Sequence, residues 1–259
     1  MTSVAALSFD GVHEQCRWVG VSLDLDDLDA IRDRLRERAH DLARGAAVAD
    51  LLLDLASTGM AGQFITEFLE AAEDPNVEDW QVGEALAEAL LEDEHDVTFP
   101  WNTRRDERTT HASLPGADLV GLSGGPVMGE AILVFGEVKS SSDQNAPPHV
   151  VYGKSGLVEQ LERLAVDRKI QWKLIKWLEA RVPQPEAARF EEALANFVNT
   201  QGAAMRLIGC LIRDTAPAEA DVVQRGRDLG ELVQHPGRAE LLVWYLPLPM
   251  IDWPTLVAA

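Results

Sequence analysis

Three ionisable residues interrupt apolar stretches of this chain. Asp118 sits in Gly116-Ala117-Asp118-Leu119-Val120-Gly121-Leu122, and Glu137 and Lys139 sit in Ile132-Leu133-Val134-Phe135-Gly136-Glu137-Val138-Lys139. Both stretches are short and rich in strand formers. Ser123-Gly124-Gly125-Pro126 between them is turn chemistry, so the two read as an antiparallel hairpin. Side chains on a strand alternate faces, which puts Glu137 and Lys139 on one face and Val138 on the other. In a hairpin, Asp118 can lie beside Glu137 on that same face. Two carboxylates brought close repel unless a cation sits between them. Mg²⁺ suits such a pair, because it takes one or two carboxylates and keeps several waters. The lysine can then orient a water or stabilise charge growing on a phosphate. Such a unit would hydrolyse a phosphodiester. On a solvent-facing strand edge, the same Glu-x-Lys would be an ordinary surface pair.

The elements that must position these residues can be read in outline. The first 96 residues read mostly as helix. Asp24-Leu25-Asp26-Asp27 opens a charged stretch in which Leu28, Ile31, Leu35 and Leu42 recur at helical spacing up to Gly45. Further helical stretches are expected over Val48–Leu55, Gln63–Ala72 and Val77–Glu92. After the hairpin strands, Ala117–Leu122 and Ala131–Ser140, comes a long polar loop from Ser140 to Gly156, and long loops in compact domains tend to be functional. A helix over Leu157–Val182, broken near Asp167, and another over Pro185–Asn199 follow. Met205–Ile212 reads as a buried strand, Ala218–Val233 as a helix and Ala239–Leu246 as the last strand. The expected fold is α/β: a mixed sheet of about four strands flanked by helices. Residues 1–76 are expected to form an acidic, mostly helical N-terminal region and residues 77–259 the core.

This arrangement resembles the PD-(D/E)xK nuclease superfamily, the restriction-endonuclease-like fold. Pro115-Gly116-Ala117-Asp118 followed by Gly136-Glu137-Val138-Lys139 carries the resemblance, which covers about residues 77–246. The Pro115–Asp118 spacing is longer than the strict Pro-Asp pair of that motif. The resemblance implies that Asp118 and Glu137 ligate Mg²⁺ or Mn²⁺ and that Lys139 is the catalytic lysine. It also implies a further acid from the preceding helix, where Glu84 and Glu88 in Val82-Gly83-Glu84-Ala85-Leu86-Ala87-Glu88 share a face. Glu84 is preferred, because Gly83 beside it allows a close approach. A solvated helix face is the other use for either acid. Gln160 resembles the glutamine that some members carry on the helix after the lysine, although helices also carry exposed glutamines with no such role. Within the superfamily the arrangement is similar to the HamA nuclease subunits of Hachiman anti-phage systems. That narrower likeness implies a helicase partner that restrains the nuclease until foreign or damaged DNA is engaged.

Other features bear on nucleic acid. Lys169, Lys173 and Lys176 fall on one face of Arg168–Trp177 and would contact phosphates or simply be solvated, with Trp172 and Trp177 expected to pack against the core or a partner. Arg104, Arg105 and Arg108 would steer the backbone or pair with nearby acids, and His111 would carry a proton or be incidental. The remaining histidines show no zinc spacing with Cys16 and Cys210, and no phosphate-binding glycine loop or serine-hydrolase elbow is present.

Composition bounds the rest. Apolar residues make up 46% of 259, enough for a core, and no apolar run approaches the ~20 residues of a membrane span. The N-terminus lacks a basic region ahead of Asp10, and two distant cysteines make no disulfide framework, so a reducing cytoplasm is expected. The net charge is −20, and residues 1–150 carry 10 Lys+Arg against 29 Asp+Glu, a balance of −19. That acidity disfavours unaided DNA binding and points to delivery by a helicase or other ATPase partner. It equally fits a catalytically silent subunit of the same fold that binds a basic partner through its acidic half.

Overall fold

The computed structural model describes residues 6–40, 77–101, 116–125 and 130–258, and scattered positions between 52 and 67. A seven-stranded sheet runs through it in the order β1-β2-β7-β6-β5-β4-β3. The strands are β1 (Ala6–His13), β2 (Cys16–Ser22), β3 (Val97–Thr98), β4 (Leu119–Gly124), β5 (Ala131–Ser141), β6 (Met205–Arg213) and β7 (Arg238–Tyr245). The central pairs β2/β7, β7/β6 and β6/β5 are parallel, while β1/β2, β5/β4 and β4/β3 are antiparallel. The fold is therefore α/β with a mixed sheet, as the sequence suggests.

The expected number of about four strands falls short by three. β1 and β2 lie in the stretch read as mostly helical, and β2 joins the core sheet by pairing with β7 over Cys16–Ser22. That contact spans more than two hundred residues of chain, so no local pattern announces it. β3 is only two residues long, too short to display a period of two.

Helices cover both faces. The described α1 (Leu25–His40), α2 (Asp79–Glu94) and α8 (Pro254–Val257) pack on one face, where Leu28, Leu35, Val82, Leu86 and Leu90 meet Val134, Val138, Ile208 and Trp244. α3 (His149–Tyr152), α4 (Leu157–Val166), α5 (Arg168–Glu179), α6 (Ala187–Asn199) and α7 (Val223–Leu232) cover the other, where Leu161, Leu174, Phe190 and Leu229 meet Leu133, Phe135, Leu207 and Leu241. Period-2 alternation along β5 thus supplies both cores: odd residues face α3–α7 and even residues face α1 and α2. Because β5 and β6 are covered on both sides, they read as near-continuous apolar runs.

The expected break at Asp167 is present. Its carboxylate accepts from the backbone N–H groups of Lys169 (2.8 Å) and Ile170 (3.2 Å), capping α5 and ending α4. The loop after β5 is fastened. Asp143 accepts from Asn145 and His149 backbone N–H groups, while buried Arg213 donates to the carbonyls of Asp143 and Asn145. The helices expected over Val48–Leu55 and Gln63–Ala72 lie largely outside the described residues. No helix among the described residues is long and apolar enough to cross a membrane.

Candidate active site

The hairpin forms with the register the site requires. Leu119 pairs with Gly136, so Asp118 stands beside Glu137 just beyond the end of β4. The backbone N–H of Asp118 donates to the Gly136 carbonyl at 3.0 Å. One residue further along β5, no β4 backbone is left to accept from Val138. The Asp118 side chain does so instead, its Oδ2 accepting from the Val138 N–H at 2.9 Å. This charge-assisted bond fixes the carboxylate at the mouth of the hairpin.

Glu137 is only 3% exposed, although it carries a carboxyl group. Burial pushes its pKa up to about 8, the neighbouring Asp118 charge pushes the same way, and Lys139 opposes both. Lys139 donates from Nζ to Glu137 Oε1 at 2.6 Å. The lysine side chain is 25% exposed against 4% for the glutamate side chain, so the ammonium lies on the solvent side of the pair. A buried acid, a second acid beside it and a cation at the rim thus share one spot. Where two carboxylates meet with one nearby ammonium, a divalent ion would relieve their repulsion, and the donor set fits a metal that keeps most of its waters.

The other expected site residues fare differently. Glu84 is half-buried on α2, a helix that packs on the face lined by Val134 and Val138, whereas Glu137 belongs to the opposite face by alternation. Among the described residues, no group of three or more His, Cys, Asp or Glu side chains is placed to hold a metal. Glu84 therefore does not complete a three-acid cluster with Asp118 and Glu137. Glu88 is buried, and Arg38 of α1 donates to it at 3.3 Å, so it ties two helices together. The close approach expected at Gly83 is real but has a different partner. A Cβ there would lie 2.2 Å from Ser140 Oγ, which makes Gly83 a point of close approach between α2 and β5.

Gln160 sits on α4, which packs on the same face of the sheet as Glu137, and it donates to the Ser155 carbonyl at 2.9 Å. Lys169, Lys173 and Lys176 are exposed on α5. That helix lies against the hairpin: a Cβ at Gly116, two residues before Asp118, would meet Leu174 at 3.3 Å and Ile170 at 3.5 Å. Trp177 is half-buried with Arg181 5.0 Å over its ring. Trp172 is 61% exposed, so of the two uses expected for it, core or partner, it does not pack against the core. Arg104, Arg105, Arg108 and His111 lie outside the described residues. Sequence reasoning missed the Val138 N–H, which any residue but proline would supply and which therefore leaves no signal.

No protein-family model matches the chain. No curated protein matches it either.

Proposed function

We propose that the chain is a metal-dependent nuclease that hydrolyses phosphodiester bonds of DNA at the site formed by Asp118, Glu137 and Lys139. The observation that supports this best is Glu137, a carboxyl buried in a strand interior and set against a second acid. A purely structural position would favour an apolar side chain there. Asp118 and Glu137 would hold Mg²⁺ or Mn²⁺, and the bound ion would supply Lewis-acid activation of water and neutralise phosphate charge. The protein's own groups do the rest. The Val138 N–H holds the Asp118 carboxylate in place, and the Lys139 ammonium, anchored on Glu137 but open to solvent, donates to a phosphate oxygen as charge develops on it.

A second reading rests on the 2.6 Å Lys139–Glu137 contact and on the lack of a three-acid group among the described residues. In it, Lys139 is a built-in counter-ion, no metal binds, and the chain is a silent subunit that engages a basic partner through its acidic half. Calorimetric titration with Mn²⁺ separates the two. The nuclease reading expects one saturable site in the wild type that is lost in Glu137→Gln. The silent reading expects no site in either. The net charge of −20 supports delivery to DNA by a helicase or other ATPase partner, and the sequence resemblance extends this to an effector role in anti-phage defence. Co-purification with the product of an adjacent helicase gene tests that extension.

A further inference from the structure

The chain has only five lysines: Lys139, Lys154, Lys169, Lys173 and Lys176. All fall within one stretch of 38 residues, in a protein whose net charge is −20. The arginines are used differently. Many of them pair with acids, as Arg17 does with Asp10, Arg38 with Glu88, Arg206 with Glu240 and Arg213 with Asp221. Lys169, Lys173 and Lys176 form no ion pair among the described residues and are exposed. Three exposed lysines with no ion pair among the described residues make a local positive stripe on an acidic protein.

The stripe also carries an aromatic ring. Positions 169, 172, 173 and 176 follow i, i+3, i+4, i+7 spacing, so Trp172 shares the face with the three lysines. An indole 61% exposed on a helix whose opposite side is fully packed through Gln171, Leu174, Ile175 and Leu178 is not needed for the fold. We infer that the outer face of α5 binds single-stranded nucleic acid, with the lysines on successive phosphates and Trp172 stacked on an unpaired base. Charge complementarity selects a polyanion, and the flat exposed ring between the cations selects one whose bases are unstacked, because duplex bases offer no free face. The position of α5 supports this, since Ile170 and Leu174 on its inner side lie close to Gly116, two residues from Asp118. The inference rests on the nuclease reading for its role, as the feature that would hold a strand beside the site. Its test reads binding apart from cleavage.

Full-length Glu137→Gln protein in EDTA is titrated into fluorescein-labelled oligo(dT) and into a duplex of equal length, with anisotropy followed at several salt concentrations. We expect tighter binding to oligo(dT). Trp172→Ala should weaken it roughly tenfold, with little effect on the duplex, and Trp172→Phe should restore most of the loss. Reversal of all three lysines to glutamate should lower the salt slope by about 2, from ~0.7 per phosphate contact. Circular dichroism checks that the variants fold. Equal affinities for wild type and variants, or no binding of any oligonucleotide, overturns the inference. So does a change in sedimentation mass on lysine reversal without a change in oligonucleotide binding, which would make the stripe a contact for the acidic half of a second copy. Oligo(dT) binding that depends on Trp172, in a wild type that cleaves nothing, upholds the stripe and sinks the nuclease reading instead.

Discussion

The Asp118 carboxylate takes the hydrogen bond of the Val138 backbone N–H at 2.9 Å, replacing a strand that has ended. β5 is longer than β4 by five residues, eleven against six, and the acid bridges the first unpaired donor. One side chain thereby closes the ladder and faces Glu137. This dual use predicts a separation of effects. Asp118→Asn keeps an acceptor oxygen and should stay folded while losing metal affinity. Asp118→Ala leaves the donor unmet and should cost about 1.5–3 kcal/mol in denaturant unfolding. Equal stability of the two variants would mean that the Val138 bond contributes nothing.

Glu137 should destabilise the metal-free protein at high pH. Its ordinary value of 4.5 is raised to about 8 in the fold, by burial first and by Asp118 second. Below the lower value both folded and unfolded chains hold the proton, and nothing is lost. Between the two values the native state holds a proton that the unfolded chain has released, so stability falls as pH rises, and above about 8 the full cost is present. Glu137→Gln removes that dependence. Thermal unfolding in EDTA should show the variant gaining on wild type between about pH 5 and about pH 9. A constant difference over that range would show that Glu137 is not strained.

Much of this site was legible in the sequence. Acids and a lysine inside apolar strands stand out, and period-2 alternation put Glu137 and Lys139 on one face. Turn residues announced the hairpin, and Asp167 announced the helix break. The β1–β2 hairpin was not legible. Its turn at Glu14, a residue held at φ 48°, has no glycine to mark it, and β2 joins the central sheet by pairing with β7 at the far end of the chain. Helix position was equally opaque. Periodicity says which face of α2 is apolar but not which face of the sheet receives it; α2 packs on the face lined by Val134 and Val138.

Gly83 offers a test of that packing. Gly83→Ala gains up to about 1 kcal/mol of helix propensity but drives a methyl to 2.2 Å from Ser140 Oγ. That hydroxyl is buried without a hydrogen-bond partner among the described atoms, so it loses nothing by removal. In Gly83→Ala/Ser140→Ala the added methyl would meet the Ser140 Cβ position at 3.6 Å, ordinary contact. Urea unfolding should find the single Gly83→Ala variant less stable than wild type and the double variant at least as stable. A stable single variant would show that the Ser140 hydroxyl turns aside or that α2 sits further from β5.

At the opposite end of the central strands, Arg206 is 3% exposed and grips Glu240 through two bonds of 3.0 and 2.8 Å, while also donating to Ser123 Oγ and the His95 carbonyl. Burial pulls the Glu240 pKa up, but hydrogen bonds from His95 and Arg206 and the charges of Arg206 and Arg238 hold it at about 2. Its stabilisation is present above the ordinary value of 4.5 and is lost as pH falls toward 2. Arg206→Met strands a buried charge and should cost about 3–5 kcal/mol, most of it recovered in Arg206→Met/Glu240→Leu. A mild loss in the single variant would mean that Arg238 alone satisfies Glu240.

The central claim is that Asp118, Glu137 and Lys139 together cut phosphodiesters with a divalent ion, and a gel assay on end-labelled single-stranded and duplex DNA meets it most directly. Wild-type protein with Mg²⁺ or Mn²⁺, alone and with a co-purifying helicase if one is found, should cleave, EDTA should stop it, and Glu137→Gln and Lys139→Ala should each be inactive while folded. Cleavage by both variants at the wild-type rate would contradict the account.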